Sequence, residues 1–560
     1  MNTTRIYKIS LLMIALPLAS ILIMACNGSV DDGGGTGRQL GSSIFPPAVF
    51  IADKDVNGVD ELYAAFNDGT EIVKLSDPLV TRGNVAAYRI SPDGFYVAYV
   101  ADQDTAGLFE LYVVPVDKTT DETAVKVSGK MAGNGILQLP SGEYVFAWAP
   151  DSSRIAYVAD QNRLRVFELF TSTPDGIEND IVSNLPDPDP LTNPDPDVEN
   201  FKWEPNSKLI AYIADQDTDE VFELYVSPSD SNTPNVKVSG ALLDGNGIKE
   251  LAPVASGEYA FAWAPNSSRL AFLADQLIDA IDEFELYTNL PDGTNNLRIS
   301  GPQGNSSQVD DFAWAPNSRQ IAYRANQNLI TAIDLFTALP NVSSSFQQIS
   351  SGLEPGQEVT TFKWSPDSTR IAFISDRAFT GFFRLFTTSP NNSNNVLVSG
   401  SIVSTTDVTV FKWAPDSLRI AYVDMLLGGV FELFTTLRDV EPSTRITNSL
   451  ADDDEENFAW APNSSRIAYI ADPNIVDEFE LFSSTRDGDA TNIVSGPLVK
   501  GGDVQEFKWA SDNSGLGYIA DQDTDTVDEL FASQPNGGNN TLLSGTLVSG
   551  GDVISFDWVA

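Results

Sequence analysis

One stretch decides the fold: Phe261-Ala-Trp-Ala-Pro-Asn-Ser-Ser-Arg-Leu-Ala-Phe272. Close copies stand at 146–151, 362–367 and 458–463, and all nine tryptophans of the 560-residue chain lie in such copies. Consecutive tryptophans are 47 to 60 residues apart, and a tenth copy, Tyr88-Arg-Ile-Ser-Pro-Asp-Gly94, lacks the tryptophan. Repetition at this spacing is typical of repeat architectures, in which each unit packs against its neighbours. The chain is therefore predicted to be an array of about ten equivalent units.

Each unit contains four short segments with the pattern of β-strands. Phe261 and Trp263 are two residues apart, so they point to one face of a first strand, which ends at Pro-Asn-Ser turn residues. Residues 269–273, 285–287 and 297–301 follow as second, third and fourth strands, with turn residues between them. Four short strands in each unit predict an all-β fold, a β-propeller of four-stranded antiparallel blades.

The two ends of the repeat array complete each other. The chain contains ten first strands and ten second strands; it starts with a second strand, Ala48–Ala52, and stops with a first strand, Ser555–Trp558. We expect these two strands to share one blade and to close a ring of ten blades, because closure leaves no open sheet edge. Two smaller propellers in tandem are the alternative. Their boundary would be the Pro- and Asp-rich segment 174–199, which we interpret instead as an insertion.

The Phe-x-Trp pairs are predicted to fill the space between neighbouring blades. Rings of this size bury a large area, and every blade needs the same contact. A stacking platform for a sugar or another ligand is the alternative interpretation, although a binding site is seldom repeated in every unit. The predicted packing residues are Phe146, Trp148, Phe201, Trp203, Phe261, Trp263, Phe312, Trp314, Phe362, Trp364, Phe411, Trp413, Phe458, Trp460, Phe507, Trp509, Phe556 and Trp558.

The N-terminal segment has the pattern of a secretory signal. Arg5 and Lys8 precede an apolar run from Ile9 to Ala25, which Pro17 interrupts. The run ends at Ile-Met-Ala-Cys26, which resembles the lipobox of bacterial lipoproteins and contains the only cysteine of the chain. The resemblance implies a signal peptide of residues 1–25 and lipidation of Cys26. Residues 26–47 are rich in Gly, Ser and Asp and predict a flexible tether, followed by the propeller at 48–560.

Composition excludes several classes of function. The 78 acidic and 33 basic residues give a formal net charge of −45, which repels phosphate backbones and disfavours nucleic-acid binding. The absence of histidine excludes Ser-His-Asp and Cys-His catalysis and any histidine-ligated metal. A single cysteine allows no disulfide within the chain.

The repeat resembles that of TolB-type propellers. The resemblance rests on the segment Phe362-Lys-Trp-Ser-Pro-Asp-Ser-Thr-Arg-Ile-Ala-Phe-Ile-Ser-Asp376, on the Glu-Leu-Phe or Glu-Leu-Tyr third strands and on the Val-Ser-Gly endings. Similar WD40-like blades precede the catalytic domain of prolyl oligopeptidase-type peptidases. The resemblance implies an envelope protein that binds macromolecules. TolB itself has six blades and an additional α/β domain, and the peptidases need a hydrolase domain with histidine, so neither function is transferred by name.

The loop after the second strand is acidic in several units. Its carboxylates and amides at positions 1, 3, 5 and 9 resemble the D-x-D-x-D-G loops that bind Ca²⁺ in other propellers, where alternate oxygens converge on a hard cation. A polar turn is the alternative, since the loops beginning at Asp376, Asp424 and Asn326 have lost the pattern. The candidate ligands are Asp53, Asp55, Asn57, Glu61, Asp102, Asp104, Glu110, Asp215, Asp217, Asp219, Glu223, Asp521, Asp523, Asp525 and Glu529.

These observations predict a non-enzymatic envelope lipoprotein whose propeller is an interaction scaffold for other envelope proteins. It would touch the membrane through its lipid only, at the periplasmic face of the outer membrane or at the cell surface, with no cofactor except possible Ca²⁺ in the acidic loops. The contact surface is expected at the variable segments 129–141, 174–199 and 240–256. The alternatives are a carbohydrate-active or metal-dependent enzyme that uses carboxylates, and a calcium-binding structural surface protein.

Overall fold

The described part of the chain is the predicted propeller region. The computed structural model describes residues 43–119, 121–187, 196–230, 234–240, 242, 247–251, 259–276, 283–301, 308–328, 331–350, 352–391, 395–400, 406–426, 430–450, 457–472 and 478–559. The predicted signal peptide, Cys26 and most of the predicted tether lie outside these ranges. Within them, no helix has the length and hydropathy that crossing a bilayer requires.

The described residues form forty β-strands. The first twenty are β1 (Ala48–Ala52), β2 (Glu61–Phe66), β3 (Glu71–Lys74), β4 (Val85–Ile90), β5 (Tyr96–Ala101), β6 (Glu110–Pro115), β7 (Val125–Lys126), β8 (Phe146–Trp148), β9 (Ile155–Arg163), β10 (Val166–Ser172), β11 (Asn179–Ile181), β12 (Val198–Trp203), β13 (Leu209–Ala214), β14 (Glu223–Pro228), β15 (Val236–Lys237), β16 (Phe261–Trp263), β17 (Leu270–Ala274), β18 (Glu285–Asn289), β19 (Leu297–Arg298) and β20 (Val309–Trp314).

The second half continues the same pattern. Its strands are β21 (Ile321–Ala325), β22 (Asp334–Ala338), β23 (Gln347–Gln348), β24 (Val359–Trp364), β25 (Ile371–Phe379), β26 (Phe382–Thr388), β27 (Val396–Leu397), β28 (Thr406–Trp413), β29 (Arg419–Leu426), β30 (Val430–Leu437), β31 (Val440–Leu450), β32 (Phe458–Trp460), β33 (Arg466–Ala471), β34 (Glu480–Thr485), β35 (Thr491–Ile493), β36 (Val504–Trp509), β37 (Leu516–Ala520), β38 (Glu529–Ser533), β39 (Thr541–Leu542) and β40 (Val553–Trp558).

These strands form ten antiparallel four-stranded blades in one ring. Blade 1 contains β40, β1, β2 and β3, and blades 2 to 10 follow in chain order from β4–β7 to β36–β39. Blades 8 and 9 form one continuous eight-stranded sheet, because β31 runs on until Leu450 pairs with Ala471 of β33. The predicted ring of ten blades is confirmed, and the tandem alternative is not what the chain forms.

The ring closes where the two ends of the sequence meet. Strands β1 and β40 pair in antiparallel register, with Ala48 opposite Trp558 and Phe50 opposite Phe556. Blade 1 therefore takes its first strand from the C-terminal segment and its other three from the N-terminal segment, as predicted. Pairing in this way removes the free sheet edge that an open array would leave.

The core of every blade contains a stacked aromatic pair between its second and third strands. In blade 5, Phe272 stacks on Tyr287 at 5.9 Å between ring centroids, and Phe261 lies opposite Phe272 on the first strand. All ten blades have such a pair, at 5.3–5.9 Å. The pair is found even in blade 2, which lacks the tryptophan, so it is the most constant feature of blade packing.

Candidate functional site

The two ends of the ring carry different loops. In an antiparallel four-stranded blade, the loop between the second and third strands lies at the same end as the connection to the next blade. We call this end the insertion face; its loops are the acidic loops and the connections between blades. The opposite end, which we call the turn face, carries the short turns after the first and third strands. Hydrogen bonds from residues 134 and 135 to Asp160 join the two kinds of loop on the insertion face.

Each of the three variable segments includes a connection between blades, which lies on the insertion face. The segment 129–141 connects blades 2 and 3, and 240–256 connects blades 4 and 5. The predicted segment 174–199 is too wide: its residues 174–178 lie in a turn on the turn face, 179–181 form β11, and 198–199 begin β12. The connection itself is residues 182–197, of which 188–195 lie outside the described ranges.

The first and third variable segments have a common design. In each, the isoleucine of an Asn-Gly-Ile phrase pairs with the second strand, Ile136 with Ala159 and Ile248 with Ala274, and the named first strand begins later. Gly135 has φ +94°, and a side chain there would collide with the carbonyl oxygen of Phe109, while Gly247 meets the carbonyl oxygen of Phe222. The shared glycine is thus explained by close approach to backbone.

The interruption in blade 3 is a short hairpin. Gln138 pairs with Tyr144, and Leu139 N–H donates to the carbonyl of Glu143 at 2.8 Å. Tyr144 is buried against Phe109, with ring centroids 5.4 Å apart, whereas Ser141 at the tip is exposed. In blade 5, Glu250 pairs with Tyr259, and residues 252–258 between them lie outside the described part of the chain.

The blade 3 hairpin separates two clefts that run along the first strands. In a propeller, the first strands line the central channel. A cleft of about 410 Å³ is lined by residues of blades 2, 3 and 4, among them Arg89, Trp148 and Lys202. A second cleft, of about 370 Å³, lies between blades 1, 2 and 3 and includes Asp60 and Asp557. Glu143 of the hairpin forms an ion pair with Arg89 and lines both clefts.

The middle residue of Phe-x-Trp is basic in five of the ten blades: Arg89, Lys202, Lys363, Lys412 and Lys508. In blade 4, Lys202 Nζ donates to the carbonyl of Phe261 in the next blade at 2.9 Å. In return, Trp263 Nε1 donates to the carbonyl of Lys202 at 3.0 Å. The same bond, to the phenylalanine carbonyl of the next blade, is made by Lys412, Lys508 and Arg89. These cations therefore connect neighbouring blades beside the channel.

Carboxylates of different blades also meet beside the channel. Glu199 of blade 4 accepts a hydrogen bond from the Tyr259 hydroxyl of blade 5 at 3.2 Å. Burial raises the pKa of Glu199, and the charge of Glu250 adds to the rise, while the Tyr259 hydroxyl opposes it. Burial likewise raises the pKa of Asp310 in blade 6. A half-buried carboxyl with a raised pKa can act as a general acid, so Glu199 and Asp310 are the residues at which an enzymatic activity would be sought.

The first acid of each acidic loop accepts hydrogen bonds from backbone N–H groups. Asp102 Oδ1 accepts from Asn84 N–H at 2.6 Å, and its Oδ2 accepts from Gly107 N–H at 2.7 Å. Asp376 makes the same two contacts, both at 2.8 Å, in a loop that has no acids at the third and fifth positions. Asp53, Asp215 and Asp521 follow the same plan. This aspartate ties the loop to the neighbouring connection, whether or not the loop is acidic.

The third and ninth positions are paired with a lysine in three of the four candidate loops. Lys74 Nζ lies 3.1 Å from Asp55 Oδ2 and 2.6 Å from Glu61 Oε1. Lys126 joins Asp104 to Glu110, and Lys237 joins Asp217 to Glu223. An ammonium group thus takes the place between the two carboxylates that a metal ion would need.

Calcium binding by these loops stays a prediction. The candidate ligands at the third and fifth positions are exposed or half-buried: Asp55, Asn57, Asp104, Asp217, Asp219, Asp523 and Asp525. Those at the ninth position are buried: Glu61, Glu110, Glu223 and Glu529. In the part of the chain that is described, no group of three or more acidic, cysteine or histidine side chains is placed to hold a metal. The loops at 53, 102 and 215 therefore fit a lysine better than a metal, and the loop at 521 has no such lysine.

The tryptophans connect each blade to the preceding one. Each of the nine indole Nε1–H groups donates to the carbonyl of the middle Phe-x-Trp residue in the preceding blade, at 2.9–3.2 Å. In blade 2, the Tyr88 hydroxyl donates instead to the carbonyl of Val49 in blade 1 at 3.1 Å. Eight of the nine phenylalanines are buried, and Phe312 is half-buried. All ten joints of the ring thus have an aromatic hydrogen-bond donor.

Sequence reasoning missed the groups that pair with the acidic loops and the hairpin. Lys126 and Lys237 precede the same Val-Ser-Gly ending, and Lys74 has the same place in blade 1, so their common spacing was the available signal. The repeated Ser-Gly-Glu-Tyr phrase marked the hairpin, but its contact with Arg89 required the position of the neighbouring blade.

The chain is thus defined as a ten-bladed β-propeller with a variable insertion face. No protein-family model matches it, and no curated protein is similar to it. Among solved structures, it is similar to one described as "the eukaryotic initiation factor", at 11% identity and TM-score 0.44, with 80% of this chain and 96% of that chain covered.

Two further solved structures are similar. A structure from work on two prolyl endopeptidases has 10% identity and TM-score 0.36, covering 67% of this chain and 54% of that chain. An oligogalacturonate lyase in complex with manganese has 13% identity and TM-score 0.33, covering 70% of this chain and 96% of that chain. Similarity this low carries no argument about the activity of this chain.

Proposed function

We propose that the protein is a non-enzymatic, TolB-like scaffold of the bacterial cell envelope, which binds partner proteins through its insertion face. One observation carries the proposal. The variable segments contain three connections between blades, which lie on that face, whereas on the turn face the turns after the first strands are alike in blades 2 to 10. Loops that differ on a rigid frame are the usual place for recognition. Other envelope proteins are the expected partners, and the net charge of −45 speaks against nucleic acid.

The lipid anchor is proposed from the sequence at Cys26. Acylation of this thiol and of the new amino group would hold the protein at a membrane, since each buried methylene contributes about 0.8 kcal/mol. Metabolic labelling with a fatty-acid analogue tests this, with Cys26→Ser as the control variant. The proposal predicts label in the envelope fraction for the native chain and none for the variant. Equal labelling of both would contradict it.

Capture of crosslinked partners from intact envelopes tests the scaffold role. Replacing residues 186–195 by a Gly-Ser linker should leave the melting temperature nearly unchanged, because residues 186 and 187 are exposed and Asp197 is kept. It should reduce the recovery of partners. The matched control removes two exposed serines of the turn face, Ser153→Ala with Ser268→Ala, and should not change recovery. Equal recovery from all three proteins would contradict a contact surface at this connection.

A carboxylate-dependent enzyme is the second candidate, since Glu199 has a raised pKa beside the channel. Such an enzyme would use the protonated carboxyl as a general acid on an acid-labile substrate such as a glycoside. Screening the purified chain against envelope polysaccharides, with Glu199→Gln as the control, tests this. Hydrolysis that the variant abolishes would establish the enzyme. A complete lack of turnover would favour the scaffold.

A further inference from the structure

The glutamate that begins the third strand is neutralised by a lysine in three blades. In blade 1, Lys74 Nζ lies between Glu61 and Asp55, and equivalent lysines serve blades 2 and 4. The lysine comes from the fourth strand, where Lys74 is opposite Tyr63 in the sheet register. The hydroxyl of Tyr63 also donates to Glu61, at 2.8 Å. These buried glutamates therefore have a cation and a hydroxyl donor.

Blade 10 keeps the two acids but lacks both partners. Asp523 and Glu529 stand at the third and ninth positions of its loop, as Asp55 and Glu61 do in blade 1. In the register of this sheet, Leu542 is opposite Phe531, so leucine has the place of the lysine and phenylalanine has the place of the tyrosine. The loop has thus lost its internal cation without losing its carboxylates.

Glu529 is left with an unsatisfied oxygen in the protein interior. Its exposed fraction is 7%, and its Oε2 has no hydrogen-bond partner among the described residues. Glu168 of blade 3 also has one such oxygen, but its other oxygen pairs with Arg163 at 2.7 Å. Burial, followed by the charge of Asp523, raises the pKa of Glu529, while a hydrogen bond from the backbone of Asp523 opposes the rise. A buried carboxylate without a cation destabilises a fold unless something neutralises it.

We propose that blade 10 binds a primary ammonium group between Asp523 and Glu529, at the place that lysine holds in blades 1, 2 and 4. The sibling blades argue for ammonium over a metal ion, because in them the same two acids bind an ammonium. Two carboxylates also offer fewer ligands than Ca²⁺ requires. The ammonium can belong to a lysine of a bound protein or to a free amine. The inference goes beyond the proposed scaffold role and does not depend on it.

Thermal unfolding of the full chain in n-butylamine hydrochloride, a mimic of the lysine side chain, tests the site. A ligand that binds only the folded state raises the melting temperature in a saturable way. We expect such a rise for the native chain, and no rise with tetramethylammonium chloride at equal ionic strength, since this cation has no N–H donor. Glu529→Gln should abolish the response to butylamine. Leu542→Lys should raise the melting temperature without amine and also abolish the response.

Blade 1 supplies a matched control. Lys74→Leu removes the internal cation of blade 1 and keeps Tyr63 as a donor to Glu61, so it should lower the melting temperature and create a second response to butylamine. Comparing butylamine with Nα-acetyl-lysine amide, a peptide mimic whose side-chain amine is free, distinguishes the two sources of the ammonium. Tighter binding of the peptide indicates a partner's lysine, and equal binding indicates a free amine.

Two outcomes would overturn the inference. The first is a native chain that does not respond to butylamine, or whose response is unchanged in Leu542→Lys. The second is a response to calcium chloride, but not to butylamine, that Glu529→Gln removes; this would identify a metal site instead.

Discussion

The turns after the first strands, on the turn face, are uniform, whereas the connections between blades, on the insertion face, differ from one another. On the turn face, the backbone N–H after the proline of one blade donates to a serine hydroxyl of the next, as Asp151 does to Ser207 and Asn317 does to Ser368, both at 3.0 Å. These serines have φ near +60°, and Asn513 of blade 10 accepts the same bond in the same backbone conformation. On the insertion face, the equivalent connections range from tight turns to interrupted strands and a hairpin.

The difference separates what a ring needs from what a binding protein needs. Ten joints must have nearly the same geometry, so the residues that form them recur in almost every unit. Recognition needs one particular surface, so its residues occur once. Repetition in this chain therefore indicates structure, and departure from repetition indicates where function is to be sought.

The largest expected effect concerns the joints. Trp364 is 8% exposed, and its Nε1–H donates to the Ala313 carbonyl of the preceding blade at 3.1 Å. Trp364→Ala should reduce the free energy of unfolding by about 3–5 kcal/mol, because it removes a buried ring from between two blades. Trp364→Phe keeps an aromatic ring and should lose about 1 kcal/mol, mainly for the hydrogen bond. Denaturant unfolding measures both, and equal losses would contradict the role assigned to the ring.

The second prediction concerns the first acid of the acidic loops. Asp376 is buried and accepts two backbone hydrogen bonds on the insertion face. Asp376→Ala should cost about 2–4 kcal/mol, since two N–H groups lose a charged acceptor. Asp376→Asn keeps one acceptor oxygen and should cost less. Calcium or a chelator should not alter either loss; a change that calcium reverses would show that this aspartate acts through a metal.

A smaller loss is expected on the turn face. Ser368→Ala removes the hydroxyl that accepts from Asn317 N–H and should cost about 1 kcal/mol. Chemical unfolding measures the loss, and Ser268→Ala, whose exposed hydroxyl bonds only to Asn266, is the control. If both variants are equally stable, the serine is not a joint between blades.

The smallest expected effect is a gain in stability when Asp528 is replaced. Burial, and then the charges of Asp552 and Asp521, raise the pKa of Asp528 to about 6. Its unfolded pKa is about 3.9, so the folded state binds the proton more tightly and this group lowers stability as pH rises from about 4 to 6. Asp528→Asn should therefore stabilise the chain at pH 7.5 by about 1 kcal/mol, allowing for solvent screening.

Thermal melting between pH 4 and pH 8 measures this gain. The advantage of Asp528→Asn should shrink strongly towards pH 4, where the folded aspartate is protonated and the unfolded one is about half protonated. The exposed Asp117→Asn is the control and should show no gain. A gain that is constant over the whole range would contradict the titration of Asp528.

The fold could be predicted because each blade repeats the same physical solution. The spacing of Phe261 and Trp263, and the complementary segments at Ala48 and Trp558, were enough for blade type, blade number and closure. The stacked pairs such as Phe272 and Tyr287 escaped notice because their two members lie in different strands, and only the register brings them together.

The site was less predictable because it depends on contacts between units. The acids at positions 1 and 9 of the loops were visible, but a spacing that suits calcium also suits a backbone tie and a lysine. Asp102 and Glu110 needed the positions of Asn84 and Lys126 before their tasks were clear. The width of segment 174–199 was overestimated, because Asn179 and Asp180 of β11 have the composition of a loop.

The contrast between the two faces is tested most directly by photo-crosslinking in living cells. A photoreactive residue is placed in the full chain at exposed Ser141 of the insertion face or at exposed Ser153 of the turn face. The account predicts a discrete covalent adduct with an envelope protein from position 141 and none from position 153. Adducts from position 153 alone, or equally from both positions, would contradict it.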